Sequence, residues 1–211
     1  MARNMHPKVL SKNAWKTVRQ LVADGLVNSW TLAGGTGLAL QLGHRYSDDL
    51  DFFREDTFDV ERLIGELARI GQVRIQSRTQ DTLHVFLDDL RVSFLTAQAP
   101  LLFPGIGYRG LMLADSRDIA VMKMIAIGGR GSRKDFIDLC FILDSGSSIE
   151  SIFGLIGQRF ANVDYNEYHL QKSLVWFEDA EVEPMPAMIR ELPWTSVKTK
   201  IIEAVQGLSG S

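Results

Sequence analysis

Hydrophobic positions recur every three or four residues early in the chain: Trp15, Val18, Val22 and Leu26 fall on one stripe and predict a packing helix over residues 10–26. The pattern then shortens. "SWTLA" reads as a strand, "TGLALQLG" as a helix that starts near Thr36 and stops at Gly43, and "DLDFF" as the next strand. Helical spacing returns with Val60, Leu63, Ile64 and Leu67, predicting a helix over 60–70. Three β-type alternations follow in "QVRIQS", "TLHVFL" and "RVSFL", the last two joined through "DDL" as a hairpin. "APLLFPGIGYRGLMLA", rich in proline and glycine, predicts an irregular crossing that ends in a short strand.

From Ser116 onward the periodicity is helical, in "SRDIAVMKMIAI", "RKDFIDLCFIL", "SIESIFGLIGQRF", "YNEYHLQKSLVWF" and "TSVKTKIIEAVQGL". The last of these follows an acidic, proline-bearing linker, "EDAEVEPMPAM". A mixed sheet followed by helices is an α+β plan. The change of character divides the chain into a sheet-bearing part, residues 1–114, and a helical part, residues 115–211. With 211 residues, 45% of them hydrophobic, there is enough apolar material for a core. The net charge of −3 lacks the basic excess of a general nucleic-acid binder, so any contact with RNA or DNA has to be local. Cys140 lies in an apolar run, where a buried, inert thiol is expected, and one cysteine fits a reducing cytoplasm. No segment reaches the roughly 18 apolar residues that span a bilayer, so no membrane partner is expected.

Candidate chemistry begins in the second strand. Alternation puts Asp49 and Asp51 on one face and Leu50 and Phe52 on the other. Two such acids are roughly 6.7 Å apart along a strand, and at an effective dielectric near 20 they repel by about 2–3 kcal/mol. A cation removes that cost, and Mg²⁺ binds through one or two carboxylates completed by substrate phosphates. A solvated strand face accommodates the same short pattern. Gly34 and Gly35 stand between strand and helix, where the backbone can approach a ligand while helix-start amides face an anion, although a tight turn alone also favours glycine. Neither the P-loop nor the dinucleotide glycine pattern is present.

A second cluster lies in the helical part. Lys123 has Ile119, Ala120, Ala126 and Ile127 as helical neighbours, so it either snorkels past the core or points its ammonium into a cleft. Lys134, Asp135 and Asp138 gather on one edge of the next helix start, as a salt-bridging surface or as part of a site. Gly128, Gly129 and Gly131 predict a loop in which Arg130 and Arg133 can close over phosphates. His44 and Arg45, in the turn before the acids, read either as nucleotide contacts or as caps of the preceding helix.

"LAGGTGLALQLGHRYSDDLDFF", with "DIAVMKMIAI" and "RGSRKDFIDLCFIL", resembles the AbiEii-type nucleotidyltransferase toxins of the DNA polymerase β nucleotidyltransferase superfamily, over residues 30–145. The resemblance implies a nucleotidyltransferase fold, Mg²⁺-dependent transfer from an NTP, and the toxin role in a bacterial toxin–antitoxin or abortive-infection system with a separate antitoxin. It assigns Gly35 and Thr36 to the glycine–hydroxyl motif that holds triphosphate, next to Gly34 of the same turn, and Asp49 and Asp51 to the metal. Asp118, Ala120 and Lys123 match its "D-x-x-A-x-x-K" motif, Lys134, Asp135 and Asp138 its "K-D-x-x-D" motif, and Arg130 its loop arginine.

One departure stands out. Members of the superfamily often carry a third acid on a neighbouring strand, where "RVSFL" offers Ser93, while Asp88 and Asp89 belong to the hairpin turn. Asp135 or Asp138 is then expected to take the proton of an acceptor that is RNA, protein or a small molecule. Two alternatives stay open: a non-catalytic interaction protein built on the same fold, and a D-x-D glycosyltransferase, which leaves the glycine turn and "RKDFID" without a role.

Overall fold

The computed structural model describes residues 4–161 and 165–210. Ser11 caps the first helix, α1 (Lys12–Ala23), through its side chain, and the predicted stripe buries Trp15 and Val18. Strand β1 (Thr31–Leu32), helix α2 (Gly34–Leu42) and strand β2 (Leu50–Arg54) follow, with Gly43 in the left-handed conformation as the stop of α2. Helix α3 (Val60–Leu67) precedes β3 (Val73–Arg78), β4 (Thr82–Leu87) and β5 (Leu90–Thr96). The glycine- and proline-rich stretch forms two strands, β6 (Ile106–Tyr108) and β7 (Leu111–Leu113), where the sequence predicted one. They pair as a hairpin whose turn places Arg109 and Gly110 at positive φ.

These seven strands make one mixed sheet in the order β3-β4-β5-β2-β1-β7-β6. The β2–β5 and β1–β7 pairs are parallel and the others antiparallel. One face, with Leu50, Phe52, Val92 and Phe94, packs with Val18 and Leu21 of α1 and Leu63 and Leu67 of α3. The other face presents Asp51 and Phe53, and Phe53 packs against a second apolar cluster built from the later helices together with Ala33, Leu38 and Ala114.

Those later helices are α4 (Ser116–Arg130), α5 (Arg133–Asp144), α6 (Ile149–Arg159), α7 (Glu167–Leu174), the single turn α8 (Glu178–Glu181) and α9 (Trp194–Gln206). Helix α4 is the hub, in contact with α2, α5, α6 and α7. It corrects one expectation: Gly128 and Gly129 are helical, and the chain turns only at Gly131. A methyl group on Gly128 would lie 2.4 Å from Leu170 Cδ2, so α7 packs closely on α4 at this position, against the end of one flexible side chain. No single helix among the described residues is long and apolar enough to cross a membrane.

Candidate active site

Between the polar face of the sheet and helices α4 and α5 lies an open cleft of about 830 Å³. Gly34, Gly35, Asp49, Asp51, Lys123, Arg130, Lys134 and Asp135 all line it, so most of the residues singled out in the sequence meet in one place. Thr36, His44 and Asp138 do not line it and are buried, and Arg133 does not line it either.

The two acids reach the cleft by the expected alternation. Leu50 and Phe52 are fully buried, while Asp49, just before β2, and Asp51, within it, are half-exposed. Neither carboxylate has a hydrogen-bond or ion-pair partner among the described residues. No group of three or more His, Cys, Asp or Glu able to hold a metal occurs there either. Two unpaired carboxylates still fit a hard divalent cation whose remaining ligands are phosphate and water.

The glycines are explained by their neighbours. Gly34 has φ +59°, and a Cβ there would stand 2.7 Å from Asp51 Oδ2. At Gly35 a Cβ would stand 2.1 Å from Arg45 Nη2, so the guanidinium occupies the room a side chain would need. Ala33 offers no side-chain cap, which leaves the first-turn amides of α2 to an outside acceptor. Thr36 works behind this turn: its hydroxyl donates to the Asp49 carbonyl and lies 2.8 Å from Ser47 Oγ, tying the helix start to the acid-bearing segment.

Beneath the cleft is a buried ionic hub. Asp138 accepts Arg45 Nε at 2.7 Å and Nη2 at 2.8 Å, His44 Nε2 at 2.8 Å and Lys123 Nζ at 2.7 Å. Lys123 also donates to Asp135 Oδ1 at 2.7 Å, and Arg130 Nε donates to Asp135 Oδ2 at 2.8 Å. Burial would raise the Asp138 carboxyl, but Lys123, Arg45 and His44 hold it well below the carboxylate range. Asp135 is likewise lowered against the pull of burial, by Lys123 and Arg130. Burial would lower the Lys123 ammonium, and the two aspartates raise it instead. For His44 burial wins, so the imidazole stays neutral, donating from Nε2 while Nδ1 is buried without a hydrogen bond. The lysine thus neither snorkels nor stands free, and His44 and Arg45 turn inward to Asp138 rather than capping α2.

Other expectations change too. Arg133 is not over the cleft: its Nε donates to the Ala180 carbonyl and its Nη2 to the Glu181 carbonyl, pinning α8 to the start of α5. Lys134 is the exposed cation of the helix start, without an ion-pair partner among the described residues. The sequence reading did not single out His84, Arg91, Arg159 or Glu183, all of which line the cleft. The signal for His84 was present, since it shares a face of β4 opposite to the buried Leu83 and Val85. Glu183 offered none, because it reaches Ser132 Oγ and the Arg133 amide, both at 2.8 Å, from fifty residues away. Ser93 Oγ stands 2.9 Å from His84 Nδ1. Burial and the Arg91 guanidinium lower that imidazole's pKa below its ordinary 6.5, against an upward pull from Asp51.

A glycine turn leading into a helix, two acids on the next strand and a basic helical wall define a nucleotidyltransferase fold, and solved structures agree. JHP933 from Helicobacter pylori is similar at a TM-score of 0.57 and 16% identity, covering 95% of this chain and 94% of its own. The nucleotidyltransferase toxin MenT4 from Mycobacterium tuberculosis gives 0.57 at 17% identity, covering 95% of this chain and 86% of its own. The family model for nucleotidyl transferase AbiEii toxins of type IV toxin–antitoxin systems matches residues 17–110. An uncharacterized protein from Aquifex aeolicus is 37% identical over 179 residues, 82% of this chain and 86% of that protein. The chain belongs to the AbiEii nucleotidyltransferase family.

Proposed function

We propose that this protein transfers a nucleotidyl group from an NTP, with Mg²⁺, to an acceptor that is RNA, protein or a small molecule. We assign it the toxin role of a bacterial toxin–antitoxin pair, acting in the cytoplasm and partnered by a separate cognate antitoxin. The observation that carries the reading is the meeting of Asp49 and Asp51, both without ion-pair partners, with the uncapped first turn of α2 at one open cleft.

Asp49 and Asp51 would hold Mg²⁺, which supplies charge neutralisation at the reacting phosphate. The amides of residues 34–36 face the triphosphate as hydrogen-bond donors at a helix start. Thr36 acts one step behind, by fixing the α2 start against the carbonyl of Asp49. Lys134 and Arg130, both exposed at the rim, offset phosphate charge. Lys123 serves differently: its ammonium is shared by Asp135 and Asp138, so it sets the spacing of α4 and α5 and keeps the cleft floor positive. Three cations, Arg45, Lys123 and Arg130, face those two aspartates, which leaves the hub with a positive excess. The division at residues 114/115 follows function in this reading, with the metal acids on the first part and the basic wall on the second.

The test is Asp51→Asn in purified protein. Label from α-phosphate-labelled NTPs should cease to reach any macromolecule of a cell extract, while the melting temperature stays within about 3 °C, since the carboxylate has no partner to lose. Label transfer at the wild-type rate would remove the assignment.

A further inference from the structure

Transfer to a hydroxyl or amine needs a group that takes the acceptor's proton, and the acids expected to do so are engaged elsewhere. Asp138 is sealed under four donor contacts, and Asp135 is held by Lys123 and Arg130. Glu183 accepts from Ser132 and the amide of Arg133. Asp81, at the rim, accepts from the Thr79 and Thr82 hydroxyls.

The floor of the cleft offers another candidate. Register sets Asp51 beside Ser93 across β2 and β5, and Ser93 opposite His84 across β5 and β4. The three side chains therefore form one row on the cleft face of the sheet. Ser93 is 2% exposed and its side chain is short, whereas the half-buried His84 lines the cleft one strand further out. His84 Nε2 has no hydrogen-bond partner among the described residues.

We propose that His84 is the general base of the transfer, with its Nδ1–H donated to Ser93 Oγ so that the Nε2 lone pair faces the acceptor. This rests on the nucleotidyl-transfer reading. The acceptor oxygen or nitrogen forms its bond to the α-phosphorus as the bond from phosphorus to the pyrophosphate oxygen breaks. That electron pair leaves with pyrophosphate, and the acceptor's proton passes to His84 Nε2 and then to water. Burial and Arg91 favour the unprotonated imidazole that the role requires, and Asp51 on the same row opposes them less. Ser93 acts as a positioning residue, fixing the tautomer. A serine beside Asp51 is then not a lost acid but the support of a base carried by the next strand.

The experiment follows label from each α-phosphate-labelled NTP into the macromolecules of a cell extract, using wild type, His84→Ala, His84→Gln and Asp51→Asn. A general base contributes roughly 10²–10⁴-fold, so both His84 variants should lose that much rate while NTP affinity by calorimetry stays within about twofold. Added imidazole should restore part of the rate to His84→Ala and none to Asp51→Asn. Glutamine keeps a polar side chain of similar reach but supplies no base, so a wild-type rate in His84→Gln would overturn the proposal, as would a His84→Ala variant that imidazole leaves unchanged. Either result beside an active wild type leaves the transferase reading intact. A wild type that transfers no label removes both.

Discussion

Replacing Asp138 by asparagine keeps the side chain's size and removes one negative charge from a position with no solvent exposure. Arg45 loses one arm of a two-bond contact, Lys123 loses one of its two carboxylates, and the new amide NH₂ must point at a cation. Taking one partner from a buried ion pair costs about 3–5 kcal/mol, because the remaining charge is left without compensation. For a domain of this size each kcal/mol moves the melting temperature by roughly 2–4 °C, so the expected fall is roughly 6–20 °C. Adding Arg45→Leu to the variant should cost less than it does in the wild type, since the arginine's buried partner is already gone.

Thermal and chemical denaturation across pH check this, and the sign is fixed. The folded-state pKa of Asp138 lies below its ordinary 3.8, so its contribution is fully present above 3.8 and is lost as the pH falls through the lower folded value. The stability gap between wild type and variant should therefore be wide at neutral pH and close in acid. A melting temperature within about 3 °C of wild type, with label transfer abolished, would refute the reasoning and return Asp138 to the chemistry.

Three further outcomes are expected. Gly34→Ala should destabilise by about 1–3 kcal/mol and displace the Asp51 carboxylate, because the new methyl meets it at 2.7 Å on a backbone with φ +59°; loss of label transfer beside a folded circular-dichroism spectrum is the readout. Gly128→Ala should be nearly neutral in denaturant titration, since the methyl meets only the flexible end of Leu170. Burial pushes the Cys140 thiol up to about 11, so thiol reagents at mildly alkaline pH should label it only after denaturation; rapid labelling of native protein would contradict its burial.

Local chemistry decided how much could be read in advance. Helix α2 and strand β2 were legible because a strand-to-helix glycine turn, an apolar helix, a left-handed glycine and an alternating acid pair each act within a few residues. The β6–β7 hairpin was only half visible, since three-residue strands bounded by glycine and proline carry almost no period. Gly128 and Gly129 read as a loop because intrinsic propensity opposes helix there, and the packing of α4 as a whole against α2, α5, α6 and α7 overrode it. The hub was out of reach: His44 and Arg45 meet Asp138 from 94 and 93 residues away, a pairing with no local trace.

The hub also bears on why the strand acids are free to act. A cleft holding Arg45, Lys123 and Arg130 beside Asp49 and Asp51 would ordinarily close through direct ion pairs, leaving no carboxylate for a cation. Asp135 and Asp138 prevent this by occupying all three cations through bonds of 2.7–2.8 Å. The long-range field of the excess positive charge remains: Asp49 still acts on Arg45, and Asp51 on Arg130, without contact. The "K-D-x-x-D" aspartates thus keep the basic wall from neutralising the acids, and an anion entering the cleft meets donors held in place before it arrives.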